Sequence, residues 1–113
     1  MYPTLEDLRK IHEFEGTPEE MVEYLRSIWE YAEWGFRIRN GRDSLNKACV
    51  KVEISTGGWS GNEDIISELE GTFFWFIYWW SSRRGGHYEF RISKNMYKHK
   101  FDLGKIGRKN ESK

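Results

Sequence analysis

Two glycine-rich segments contain most of the side chains that could do chemistry in this chain. In the second segment, Arg83, Arg84 and His87 flank the pair Gly85-Gly86. Guanidinium groups bind phosphate or carboxylate through paired hydrogen bonds, and glycine lets a ligand approach the backbone closely. The spacing therefore predicts a site for an anionic ligand. The alternative is a solvated turn whose arginines stack on the neighbouring tryptophans.

The first segment, residues 56–62, reads Thr-Gly-Gly-Trp-Ser-Gly-Asn and lies between a predicted strand and a predicted helix. Backbone N–H groups in that position favour an anion, although the segment does not complete a P-loop or a dinucleotide motif. A tight turn that needs glycine would explain the same residues. We predict that both segments meet at one edge of a sheet. The expected ligand- or partner-binding residues are Trp59, Ser60, Asn62, Arg83, Arg84 and His87.

Enzymatic roles find less support in the residue pattern. Ser60 resembles the serine of a nucleophile elbow, but Asn62 stands where that motif has its second glycine. Ser60 and Glu63 fit a helix capping box better, and Asn62 could cap the helix instead. His87 is the plausible general acid or base of an alternative phosphodiester- or nucleotide-acting enzyme, with Arg83 and Arg84 holding phosphate. The histidines and the single Cys49 lack metal-ligand spacing, so we expect no metal and no cofactor.

The elements that would position these residues can be predicted from caps and periodicity. Thr4 begins a helix over 4–14, and Thr17-Pro18 with Glu20 begins a second over 17–33. Alternation then predicts two strands, around 36–39 and 50–54, with a turn at Asn40-Gly41 between them. A short helix over 62–70 follows.

Residues 73–80 include seven aromatic side chains in eight positions. We predict a strand over 72–82, apolar on both faces, and a return strand around 88–92 after the arginine-glycine turn. One face would pack on the core, and the other would need a helix layer, a second copy of the chain or a partner. Exposed rings on a sheet could also stack unpaired bases, but here the basic residues follow the rings instead of alternating with them.

The whole pattern predicts an α+β fold: two N-terminal helices and a mostly antiparallel four-stranded sheet, with one short helix inserted between strands 2 and 3. With 113 residues, the chain suits one domain over 1–105 and a disordered basic tail over 106–113. The formal net charge is zero, yet the first 33 residues are strongly acidic and the last 31 strongly basic. The single cysteine and the lack of a long apolar run or signal peptide favour a cytoplasmic protein without membrane contact.

The segments Thr56–Glu63 (TGGWSGNE) and Ser81–Phe90 (SSRRGGHYEF) resemble a family of small bacteriophage and prophage proteins of unassigned activity. The resemblance implies a phage origin and a bacterial host cytoplasm, and it supplies no catalytic residues. Small phage accessory proteins often act by binding, including inhibition of host defence systems. The resemblance covers about residues 50–92 and leaves out the first two helices and the tail.

We therefore predict a non-enzymatic binding protein that recognises an anionic ligand or a protein partner through the two glycine-rich segments. Nucleic acid is a further candidate ligand. The alternatives are the His87 enzyme described above and a homo-oligomeric structural protein, such as a homodimer, that buries the spare aromatic face.

Overall fold

Four antiparallel strands form one sheet in the computed structural model, which describes residues 3–99 of the chain. Their spatial order is β1-β2-β4-β3. The strands are β1 (Phe36–Arg42), β2 (Ala48–Ser55), β3 (Trp79–Arg83) and β4 (His87–Ser93). The helices of the described residues are α1 (Leu5–His12), α2 (Pro18–Ile28), α3 (Ala32–Gly35), α4 (Ser60–Leu69), α5 (Phe73–Tyr78) and α6 (Lys94–Tyr97). The predicted α+β class is confirmed, while the predicted tail, 106–113, lies outside the described residues.

Helices and sheet share one hydrophobic core on one side of the sheet. Alternate residues of β2 and β4, such as Val52, Ile54 and Phe90, are buried together with Leu25 of α2 and Ile65 of α4. The intervening residues of each strand point to the opposite face, because successive side chains of a strand alternate. That opposite face carries charged and polar side chains and is open to solvent.

The N-terminal helices begin where their capping residues predict. Thr4 with Asp7 and Thr17 with Glu20 both form complete capping boxes. The second helix ends earlier than the predicted residue 33, at Ile28, and Tyr31 then adopts a left-handed conformation before α3 begins. Helical periodicity in the sequence continues across this break, which is why the sequence predicted one longer helix.

The predicted strand over 72–82 is wrong for most of its length, because residues 73–78 form helix α5 and the strand begins only at Trp79. The hydroxyl of Thr72 caps the helix by accepting a hydrogen bond from the Trp75 N–H at 3.1 Å. Phe74 and Tyr78, four residues apart, lie on the buried side. Since nearly every residue of the run is apolar, the run contains no periodicity that distinguishes a helix from a strand.

The turn predicted at Asn40-Gly41 is also wrong, since β1 continues through both residues and the turn lies at 43–47. Asp43 fixes this turn, because its Oδ1 accepts hydrogen bonds from the N–H groups of Leu45 and Lys47. These bonds to the charged carboxylate, chiefly that from Lys47, lower the pKa of Asp43.

Within residues 3–99, every helix is too short or too polar to span a lipid bilayer.

Candidate functional site

The two glycine-rich segments meet at one end of the sheet, as predicted. The backbone N–H of Thr56 donates to the carbonyl of Gly86 at 3.0 Å. Gly86 has a φ of +79°, and a Cβ placed there would lie 2.2 Å from the Thr56 hydroxyl oxygen. Only glycine therefore fits at this contact, which joins the tip of the β3–β4 hairpin to the end of β2.

The strand register brings three polar side chains into one row at this end. Ser55 lies opposite His87, and His87 lies opposite Arg83. The Ser55 hydroxyl and the His87 Nδ1 are 2.7 Å apart, a hydrogen-bonding distance. The imidazole of His87 is thus oriented by a residue that the sequence had not connected with it.

A pocket of about 490 Å³ opens on the polar face beside this row. On its β1 side, α3 approaches closely because Gly35 has no side chain: a Cβ there would lie 2.7 Å from the Ser55 carbonyl oxygen. The lining residues are Trp34, Gly35, Arg37, Arg39, Glu53, Ile54, Ser55, Ser81, Arg83, His87, Tyr88 and Glu89. The pocket is therefore built from all four strands and the α3 turn.

A chain of ion pairs crosses the middle of the polar face. Glu53 contacts Arg39 at 3.0 Å and Lys51 at 3.9 Å, and Glu89 contacts Lys51 at 3.9 Å and Arg91 at 2.6 Å. The guanidinium of Arg91 also lies 4.0 Å from the centre of an exposed tryptophan ring, that of Trp80. Two carboxylates and three cations thus neutralise most of one another's charge.

Two further arginines of the pocket are outside this network. Arg37 on β1 and Arg83 on β3 are exposed, and neither has an acidic partner within 4.0 Å among residues 3–99. They lie on the two edge strands and line the same pocket. The pocket thus has an uncompensated positive charge on each side, an arrangement suited to an anion.

The structure separates the predicted site residues into groups. Arg83 and His87 line the pocket, whereas Arg84 is exposed in the hairpin tip and does not. Ser60 is the first residue of α4 and makes no capping bond, so its predicted role as a cap is wrong. Trp59 lies outside the pocket, 47% exposed, with its ring centre 5.1 Å from that of Tyr31.

Asn62 is buried, with 1% of its surface exposed, and its side chain is occupied by backbone groups. Its Oδ1 accepts from the Glu30 N–H at 2.8 Å, and its Nδ2 donates to the carbonyls of Glu30 at 3.1 Å and Thr56 at 3.2 Å. Asn62 does not cap its own helix. It joins α4 to the turn after α2 and to the end of β2.

The sequence reasoning did not single out Trp34, Arg37 or Ser55 as site residues. The alternation Phe36-Arg37-Ile38-Arg39 places both arginines on the solvent side of β1, so that signal was available. No signal in the sequence indicated Ser55, because its hydrogen bond with His87 depends on the register between distant strands. In the described part of the chain, no three His, Cys, Asp or Glu side chains are grouped to hold a metal ion.

Comparison of the chain with protein-family models, with curated proteins and with solved structures finds no match.

Proposed function

We propose that this protein binds an anionic ligand on the polar face of its sheet, in the pocket between Arg37 and Arg83, without catalysing a reaction. One observation supports this proposal above the others. Among residues 3–99, five basic side chains lie on this face: three are paired with Glu53 and Glu89, and the two left over line one pocket from opposite edge strands. An acidic group of a protein partner, which the resemblance to phage accessory proteins favours, would use the same two arginines.

The orientation of the pocket residues also suits an anion. Ser55 and His87 are hydrogen-bonded to each other, and the pair leaves one donor, the serine hydroxyl or the Nε2–H of His87, next to the guanidinium of Arg83. The carboxylates of Glu53 and Glu89, which would repel an anion, are held by their own cations. A phosphate-like group therefore meets cations and donors at the rim, and screened carboxylates below them.

The test is calorimetric titration with inorganic tripolyphosphate at low ionic strength. The double variant Arg37→Glu with Arg83→Glu should bind at least about tenfold more weakly, since each charge-assisted hydrogen bond contributes roughly 1.5–3 kcal/mol. Its melting temperature should hardly change, because both side chains are exposed and unpaired. Arg26→Glu, on the exposed side of α2, is the matched control. Unchanged affinity in the double variant would refute the proposal.

A second candidate function follows from the contact between Ser55 and His87. At 2.7 Å, the Nδ1 of His87 could accept the proton of the Ser55 hydroxyl, next to an arginine able to hold a phosphoester. This arrangement favours the phosphodiester- or nucleotide-acting enzyme over a serine hydrolase based on Ser60. Turnover of a phosphodiester that is lost in both Ser55→Ala and His87→Asn would support it, and turnover retained in either variant would exclude it.

A further inference from the structure

Three exposed aromatic rings form a cluster beside the anion pocket. Tyr31, Trp34 and Trp59 are 50%, 67% and 47% exposed. The ring centres of Tyr31 and Trp59 are 5.1 Å apart, and a Cβ added at Gly57 would lie 3.1 Å from the Trp34 ring and 3.2 Å from the Trp59 ring. The two tryptophans therefore flank a bare stretch of backbone. We call these three residues the aromatic cluster.

Part of the backbone that positions this cluster is strained. Tyr31 has φ 59° and ψ 47°, the left-handed region that a bulky residue seldom adopts. Its carbonyl accepts hydrogen bonds from the N–H groups of Trp34 and Gly35, both at 3.0 Å. Gly57 also has a positive φ, of 65°. This strained turn presents the exposed rings of Tyr31 and Trp34 to solvent.

The aromatic cluster and the cationic pocket are continuous. Trp34 belongs to both, because it lines the pocket with Arg37 and Arg83. On the far side of the polar face, the Arg91 guanidinium lies over the Trp80 ring and offers a second planar surface. The two edge strands are about 14 Å apart from the usual strand spacing, and Arg91 lies four residues along β4 from His87, so the two planar surfaces are farther apart than this.

A planar base attached to phosphate can bind both parts of this surface, the aromatic cluster and the cationic pocket. Bases stack on aromatic rings and guanidinium planes, while phosphates bind arginines. A duplex hides its bases from such rings, and a mononucleotide is too short to reach both planar surfaces. We infer that the anionic ligand is single-stranded nucleic acid, with a base stacked on the aromatic cluster and its phosphates on Arg37 and Arg83. This inference rests on the proposed anion site.

Along the chain, the basic residues follow the aromatic run instead of alternating with it, which is unlike a sheet that stacks nucleic-acid bases. The fold nevertheless places cations near exposed rings, because the relevant arginines come from other strands. Arg37 and Arg39 of β1 lie beside Trp34, and Arg91 of β4 lies on Trp80. The polar face therefore carries cations between two rings, although cations and rings are separated along the chain.

The test measures fluorescence anisotropy of a labelled oligothymidylate and of the matching oligouridylate, with tripolyphosphate titrated separately. The variant Trp59→Ala, at a ring that lies outside the pocket, should bind either oligonucleotide about tenfold more weakly, from the usual contribution of a stacked base. It should bind tripolyphosphate like the wild type. Trp59→Phe should keep most of the affinity, and Phe76→Ala, which removes an exposed ring 71% accessible on α5, is the control without effect.

The other outcomes separate this inference from the proposed function. Tripolyphosphate binding that depends on Arg37 and Arg83, with oligonucleotide affinity unchanged by Trp59→Ala, would overturn the inference and leave the anion site intact. Equal affinity for duplex DNA, for thymidine monophosphate or for polyglutamate would also overturn it. If only the variant Arg37→Glu with Arg83→Glu loses the binding of tripolyphosphate and oligonucleotide, base stacking is excluded. If the wild type binds neither of them, both proposals are refuted.

Discussion

Replacing Asn62 by alanine should destabilise the protein far more than any other single change at the predicted site. The substitution removes three hydrogen bonds, to the N–H and carbonyl of Glu30 and to the carbonyl of Thr56. At a net contribution of roughly 1 kcal/mol each, the loss is about 3 kcal/mol. Leaving the partly buried Glu30 N–H without its partner adds to this cost.

That loss is a large part of the roughly 5–15 kcal/mol by which a domain of this size is stable. Since 1 kcal/mol shifts the melting temperature of such a domain by about 4–8 °C, we expect Asn62→Ala to melt at least about 12 °C lower. The assay is urea unfolding followed by tryptophan fluorescence, together with thermal melting by circular dichroism. Ser60→Ala is the matched control, because Ser60 is exposed and caps nothing in α4.

This prediction is wrong if Asn62→Ala and Ser60→Ala lose similar, small amounts of stability. It also fails if Asn62→Ala keeps the melting temperature of the wild type but loses tripolyphosphate binding. Asn62 would then act at the ligand and not in the fold.

Three other predictions concern backbone space, thiol reactivity and pH. Gly86→Ala should destabilise the protein by about 1–3 kcal/mol more than Gly58→Ala in urea unfolding, because both have positive φ but only a Cβ at Gly86 would collide with Thr56; equal losses would show that packing against Thr56 is unimportant. Cys49 should react with a thiol reagent only as fast as the protein unfolds, since its side chain is fully buried and burial raises the pKa of its thiol; rapid reaction in the native state would contradict this. Burial also raises the pKa of Tyr97 from 10.0 to about 12, so the folded state holds this proton more tightly than the unfolded chain and stability should fall as pH rises from 10 to 12; tyrosinate absorbance during alkaline titration would show it, and a flat stability profile over that range would refute it.

Local signals in the sequence predicted local structure well. Thr4 and Thr17 begin their helices because a hydroxyl and a carboxylate three residues later satisfy free backbone N–H groups, and no distant contact is needed. The β2 alternation was equally reliable, since each polar residue between Val50, Val52 and Ile54 lies on the polar face. These elements were sufficient to predict the fold class.

The strand predicted for the aromatic run was wrong because the secondary structure of this segment depends on distant contacts. Its helical start depends on Thr72, a cap that the sequence reasoning overlooked, and its buried side depends on contacts with β4. Phe74 packs 5.4 Å from Phe90 between ring centres, and Trp75 lies a similar 5.4 Å from the same ring. Such tertiary contacts decide between a helix and a strand when every residue is apolar.

For the site, the sequence could indicate residue types but not their partners. Arg83 and His87 were recognised from their glycine-flanked turn, and they do line the pocket. Ser55, Arg37 and Trp34 belong to other elements, so their place beside Arg83 follows only from the strand order and register. Asn62 was predicted to bind a ligand or to cap the helix because it lies in the glycine-rich segment, whereas its side chain is bound to the backbone of Glu30 and Thr56.

The pairing of β2 with β4 at the centre of the sheet has a consequence for how the chain folds. Val52 lies opposite Phe90, although α4, α5 and β3 all separate them in sequence. The outer pairs are simple hairpins that can form early, but the two hairpins must then find one another across this long loop. We therefore expect the joining of the hairpins to limit the folding rate, and core substitutions at Val52 or Phe90 to slow refolding more than substitutions in either turn.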